Sequence, residues 1–408
     1  MISQYIENYA EIAVKLGLNV QKGQQVVVHA PIEAAEFVRN FSKKAYEVGA
    51  KNVRVFWSDQ ALERIHFDLA PDEAFTEFPN WLAKGYEAMV DEKSAFLSIV
   101  MSNPDLMKGV DPKRLAESAK ARGKALDNYR QAAQSNKVSW CVLGYPSQEW
   151  ADKVFPDAPK EERFEKLWFA ILDATRATLD NPIGAWEEHS ATLHQKGSSL
   201  NEKKYKALHF QAPGTDLTIE LPPTHLWAGG SEKNEDGVPF VANIPTEEVF
   251  TLPLKEGANG YVTSTKPLVY QGNIINNFTL TFEKGKVVDV KAEEDLEILQ
   301  DLIASDEGAS YLGEVALVPH ESPISQSNLT FYNTLYDENA SVHLAIGSAY
   351  PVCIENGSEM SAEELKAHGV NTSIVHTDFM IGSADMNIDG ITAEGTKEPL
   401  FRNGNWAV

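Results

Sequence analysis

Through the opening stretch MISQYIENYAEIAVKLGLNV, apolar positions recur every three or four residues, which predicts an amphipathic helix over 4–16. The period then changes. Gln24-Gln-Val-Val-Val-His-Ala30 is a short unbroken apolar run and reads as a buried strand, followed by a helical pattern from Glu33 to Val48 with Gly49 as its stop. Further strand patterns fall at Asn52-Val-Arg-Val-Phe-Trp57, Ala95-Phe-Leu-Ser-Ile-Val100 and Val138-Ser-Trp-Cys-Val-Leu143, and helical stretches, notably Pro112 to Ala133, lie between them. Strands alternating with helices of this length predict a mostly parallel sheet with helices on its faces.

After Leu143 the pattern is helical and aromatic-rich from Pro146 to Leu179, punctuated by Asn181-Pro-Ile-Gly184, with one more helix from Ala185 to Leu200. Beyond Leu208, strands and turns dominate. His209 to Gln211 and Leu217 to Leu221 flank Pro213-Gly-Thr-Asp216 as a hairpin, and strands at 261–265, 279–282 and 286–290 follow, with Glu283-Lys-Gly285 as a turn and one helix over 293–303. The chain therefore reads as an N-terminal α/β domain, 1–185, followed by a second domain. This α+β, strand-rich domain, 186–408, carries the chemistry. A length of 408 residues suits two cores better than one.

Composition narrows the function classes. Residues are 43% hydrophobic and 23% charged, an ordinary globular balance, but the formal net charge is −23. Such a surface repels phosphate backbones and anionic lipid, which sets nucleic acid and membranes aside as partners. The N-terminus lacks a basic segment leading into an apolar one, and no apolar run spans a bilayer, so a cytoplasmic protein is expected. Cys141 and Cys353, far apart in sequence, read as buried thiols of a reducing compartment. Gly17, Gly23 and Gly49 fall at helix ends and not in a phosphate-cradling spacing, so the first domain implies no nucleotide.

Chemistry concentrates in four segments of the second domain. Asn243-Ile-Pro-Thr-Glu-Glu-Val-Phe-Thr251 puts the adjacent carboxylates Glu247 and Glu248 ahead of a β-leaning run. Tyr311-Leu-Gly-Glu-Val-Ala-Leu-Val-Pro319 places Glu314 among apolar neighbours, where a carboxylate is costly unless paired or metal-bound. Phe331 to Tyr350 packs Asp337, Glu338 and His343 among tyrosines. Ser373-Ile-Val-His-Thr-Asp-Phe-Met380 holds His376 and Asp378 two apart, hence on one face of a strand. Each segment alone also suits an ion pair, a solvated turn or a satisfied core histidine. Together, two histidines and several carboxylates match the mixed nitrogen and oxygen donors of a catalytic divalent-metal centre that two ions could share. No His-Glu-x-x-His motif is present; His320-Glu321 comes nearest but has Ile324 at the last position.

At these segments the chain resembles the metallo-aminopeptidases of the aminopeptidase T and aminopeptidase S family, over its full length including Leu400-Phe-Arg-Asn-Gly-Asn-Trp406. The resemblance implies that Glu248, Glu314, Glu338, His343, His376 and Asp378 surround two divalent ions, with zinc, cobalt or manganese all compatible, and that Tyr350 is the active-site tyrosine. It also implies a homodimer. On this reading a metal-activated water cleaves the residue bearing a free α-amino group from a peptide. Glu247 or Glu314 is the proton carrier, and Tyr350 donates to the developing oxyanion. A carboxylate-rich site in an acidic protein favours the amino end of a peptide over its carboxyl end. Two other readings fit less of the pattern. A glycoside hydrolase would use a pair of carboxylates but leave the histidines idle, and a protein that merely stores a divalent ion would show no turnover.

Overall fold

The computed structural model describes residues 2–103, 105–271 and 273–407. Contacts divide the chain into two compact units: 1–189 with 231–245 and 271–273, and 190–230 with 246–270 and 274–408.

In the first unit a five-stranded sheet runs in the order Asn243–Ile244, Trp140–Gly144, Ala95–Val100, Gln25–Pro31, Asn52–Ser58, and every neighbouring pair is parallel. Gln25–Pro31 is flanked on both sides, and Val26, Val27 and Val28 are fully buried, as an unbroken apolar run in a two-sided parallel sheet requires. Helices start where the sequence supplies caps. The side chains of Asp59, Asp111 and Ser147 accept from the first-turn amides of the helices Gln60–Leu69, Pro112–Ala125 and Gln148–Val154.

Several predicted elements differ in extent. The first helix is α only over Ile2–Ile12 and closes in a π turn, Ala13–Gly17. The stretch expected as one helix over 112–133 is two, Pro112–Ala125 and Asp127–Gln134, with Leu126 between them. The stretch 146–179 holds two helices, Gln148–Val154 and Lys160–Ala174, because Pro156 and Pro159 interrupt the backbone donors.

Two antiparallel sheets build most of the second unit. The larger has eight strands in the order Lys286–Lys291, Thr279–Glu283, Ala258–Thr263, Thr215–Glu220, Ala207–Ala212, Asn387–Ile391, Lys397–Arg402, Asn405–Trp406. Its hairpin at 213–214 is tighter than expected: Thr215 and Asp216 already pair with Ala212 and Gln211, and Gly214 takes the positive φ of 80° that the two-residue turn needs. The smaller sheet has five strands in the order His376–Met380, His343–Gly347, Leu312–Leu317, Val249–Thr251, Ala228–Gly229.

Alternation gives this smaller sheet two unlike faces. Val249, Val315, Leu317, Leu344, Ile346 and Phe379 point into one apolar core with Leu208, Phe210, Leu217 and Ile219 of the larger sheet. Each such side chain contributes about 1.5–3 kcal/mol by leaving water, so the register is strongly fixed. A one-residue slip would turn the whole set away from that core. The residues between them, at even positions on one strand and odd on the next, therefore face the other way, and there the carboxylates and histidines are found.

Candidate metal centre

Strand register brings the site together. Asp378 pairs with Ala345, and Ala345 with Glu314; His343 pairs with Ala316, and Ala316 with Phe250. One face of the sheet thus presents His376 and Asp378, then His343, then Glu314, with Glu248 just before Val249. Alanines at 316 and 345 leave room between them. Glu338 arrives from outside the sheet, in a 3-10 turn, Glu338–Ala340, that follows the short helix Thr334–Asp337. The third segment is therefore β-structured only from His343 onward, and Asn333 is the cap that starts its helical part.

Two groups of donors share one member. Glu248, Glu314 and His343 offer atoms all within 4.8 Å of one another, and so do Glu314, His376 and Asp378. Glu314 divides its oxygens: Oε1 lies 3.5 Å from His343 Nε2 and Oε2 lies 3.6 Å from His376 Nε2. Glu248 Oε2 is 3.0 Å from His343 Nε2, and Asp378 Oδ1 is 3.4 Å from His376 Nε2. Yet neither carboxylate oxygen has a hydrogen-bond partner among the described residues. Close approach without hydrogen-bond alignment is what donors show when they converge on a common point and not on each other.

The far side of each imidazole is already committed. His343 Nδ1 lies 3.0 Å from the Ser341 carbonyl and His376 Nδ1 lies 2.6 Å from the Ser348 carbonyl. A carbonyl can only accept, so both Nδ1 atoms carry the proton and both Nε2 atoms turn toward the carboxylates. This is the arrangement by which backbone groups fix the tautomer of metal-ligating histidines.

Four carboxylates facing two histidines out of water carry a net negative charge, and their proton affinities show the strain. Burial, with Glu248 and Asp378 nearby, pushes Glu314 up to about 7, although His343 opposes this. Burial, then Asp378 and Glu248, holds Glu338 well above the usual carboxylate range. Against the cost of burying an imidazolium, Glu248 and Glu314 hold His343 well above its ordinary value, and Asp378 and Glu314 raise His376 to about 9. Burial is the largest influence on Asp378 and would raise it, but His376, with His343 and the backbone, together hold it below its ordinary value. The cluster competes for protons because it lacks enough positive charge of its own. Divalent cations fit this donor set.

Tyr350 packs edge-on against His376, ring centroids 4.8 Å apart, and against Phe250 at 6.1 Å. Burial and then the charges of Glu314, Asp378, Glu338 and Glu248 hold its phenol well above its usual range, so it remains an O–H donor. Glu247 is buried, and its amide donates to Asn339 Oδ1 at 2.7 Å.

The family described as thermophilic metalloprotease (M29) matches residues 2–406. The chain belongs to the M29 metalloprotease family. Among M29 relatives, aminopeptidase AmpS of Bacillus subtilis is 60% identical over 99% of both chains, and aminopeptidase 2 of Geobacillus stearothermophilus is 54% identical over 98% of this chain and 97% of its own. The solved structure of wild-type AmpT from Thermus thermophilus superposes with a TM-score of 0.93 at 41% identity, covering 100% of both chains. A 2,5-dihydroxypyridine dioxygenase from Pseudomonas putida shares the fold at a TM-score of 0.53 and 12% identity, covering 100% of this chain and 98% of its own. The M29 fold therefore does not by itself fix a reaction, which must be argued from the site.

The sequence reading of an aminopeptidase T and S type chain, with an α/β first part and a strand-rich second part, agrees with these findings. Of the residues singled out, Glu248, Glu314, Glu338, His343, His376, Asp378 and Tyr350 meet in one place. Asn339, Gly313 and the carbonyls of Ser341 and Ser348 were not foreseen. Carbonyls leave no trace in a sequence, but Asn339 sits beside Glu338 and Gly313 beside Glu314, within the quoted motifs.

Proposed function

We propose that this metal-dependent aminopeptidase works through two divalent ions held side by side, one among Glu248, Glu314 and His343 and the other among Glu314, His376 and Asp378, with Glu338 facing both. The observation that carries the reading is the division of Glu314, whose two oxygens address different histidines. When bound there, divalent ions lower the pKa of water from about 15.7 toward neutrality and polarise a scissile carbonyl.

The chain's own residues supply the rest. Glu314, engaged through both oxygens, suits a bridge, which leaves Glu247 to take the proton of the attacking water and return it to the leaving amine. Tyr350, kept protonated by its surroundings, donates to the oxygen that gains charge as the peptide carbon becomes tetrahedral. Glu338, whose carboxyl faces the same cluster, adds a further oxygen donor to the metal-holding set. Zinc, cobalt and manganese all accept these donors. The first unit governs which peptides enter, and the active species is a homodimer; the buried free thiols Cys141 and Cys353 suit a cytoplasmic setting. Among the described residues no helix is long and apolar enough to cross a membrane.

The test pairs an unblocked tripeptide with its N-acetylated twin, before chelation, after it, and with metal restored. Release of the first residue from the free peptide alone, lost with chelator and regained with a divalent ion, is expected. Equal cleavage of both peptides, or cleavage that survives verified metal removal, would refute the reading.

A further inference from the structure

We propose that Asn339 is a positioning residue of the metal centre, a buried amide clasp that sets the placement of Glu248 and Glu338 relative to each other. The proposal rests on the reading above that both glutamates hold metal. Glu248 lies at the entrance to the strand Val249–Thr251, and Glu338 opens a 3-10 turn, so no regular element connects the two. Asn339 does. Its Oδ1 accepts from the Glu247 amide at 2.7 Å, and its Nδ2 donates to the Leu335 carbonyl at 2.8 Å and reaches Glu338 Oε1 at 3.4 Å. Its own carbonyl accepts from Ser322 Oγ at 3.2 Å.

Each contact has a separate effect. The bond from Glu247 pins the backbone one residue before Glu248, between the strands Asn243–Ile244 and Val249–Thr251. The bond to Leu335 closes the helical turn from which Glu338 projects. The contact to Glu338 Oε1 places a neutral donor on one of its carboxylate oxygens. Asn339 is fully buried, so bulk water does not compete for these bonds. An aspartate could not do this, having no donor for Leu335 and adding charge beside Glu338. A serine could not either, because one hydroxyl cannot reach from the Glu247 amide to the Glu338 carboxylate.

The experiment measures zinc affinity by competition with a chromophoric chelator, alongside thermal melting of the metal-free protein, for wild type, Asn339→Ala, Asn339→Ser, Glu248→Gln, Glu338→Gln and Asn201→Ala. Asn201 is the comparison clasp: its amide bridges the backbone N–H and carbonyl of Trp227 at 2.8 and 3.0 Å and touches no site carboxylate. Asn339→Ala is expected to weaken zinc binding by about 10–100-fold, the usual loss when a residue supporting a ligand is removed, and Asn201→Ala to lower the melting temperature with zinc affinity unchanged. Should Asn339→Ala fail to fold, Asn339→Ser carries the same expectation. Wild-type zinc affinity in a folded Asn339 variant, with only its melting temperature lowered, overturns the proposal. If Glu248→Gln and Glu338→Gln themselves bind zinc like wild type, the ligand assignment fails and the proposal falls with it. Loss in those two without loss at Asn339 removes Asn339 alone.

Discussion

Gly313→Ala tests how tightly the backbone around Glu314 is set. Gly313 sits at a register irregularity between Leu312 and Glu314, opposite the end of the strand His343–Gly347. A Cβ at this position would lie 2.4 Å from the Gly347 carbonyl oxygen and 2.5 Å from that of Ser348. Both are about 1 Å inside the ordinary carbon contact of roughly 3.5 Å, and both belong to backbone, which cannot swing aside as a flexible side chain can. The Ser348 carbonyl is the acceptor that fixes His376. A single methyl group therefore costs about 1–3 kcal/mol of stability as overpacking, and moves the group that orients one ligand. On the two-ion reading, affinity for the ion flanked by His376 and Asp378 is expected to fall by about 10–100-fold, and to fall by less than that for the ion flanked by Glu248 and His343, which is reached only through Glu314. Two-site zinc titration with a competing chelator reads both. Gly197→Ala is the comparison, since its Cβ would meet nothing nearer than 3.5 Å within the helix Pro182–Lys203, and it should gain up to about 1 kcal/mol in helix propensity. Equal, wild-type affinities at both sites in Gly313→Ala would refute the reasoning.

Glu314→Gln should lose both ions and peptide release together, measured by metal analysis beside kinetics; retention of either ion at wild-type affinity would count against a shared ligand. Tyr350→Phe should keep its metal and lose kcat by about 100-fold or more if the phenol is the main oxyanion donor, and normal turnover would remove it from the mechanism. In the first unit, burial and then the Arg122 charge press the His29 imidazole down to about 4, while the ring contacts Tyr86 Oη at 2.8 Å. Folding therefore favours neutral His29. Its contribution is complete above the unfolded value near 6.5 and is lost as pH falls toward 4, on the order of 3 kcal/mol in all. Chemical denaturation from pH 7 to 4 should show that acid limb shrinking in His29→Gln, and an unchanged limb would refute the assignment.

How much was legible in the sequence follows from how local each signal is. The strands at Gln25–Pro31 and Ala95–Val100 were readable because buried parallel strands are unbroken apolar runs bounded by turns, and the half-exposed edge strand Asn52–Ser58 by its β-branched and aromatic residues around Arg54. The pairing of His376 with Asp378 was readable because strand alternation is a property of neighbours. The break at Leu126 was not, since Gly123, Asp127 and Asn128 weaken the helix there without fixing a stop, and tertiary packing decides where the chain turns. Glu338 was named as a candidate ligand through family resemblance, but its 3-10 setting was hidden because one Asn cap, Asn333, is a weak mark inside a tyrosine-rich run. The support from Ser341 and Ser348 is main-chain chemistry that any residue could supply, so only the fold reveals it.

The central claim is that Glu314 is shared between two adjacent ions. The most direct measurement is anomalous diffraction at the zinc edge from zinc-loaded crystals. The account predicts two peaks per chain, one beside Glu248 and His343 and one beside His376 and Asp378, with the Glu314 carboxylate between them. A single fully occupied peak, or a second peak with no contact to Glu314, would contradict it.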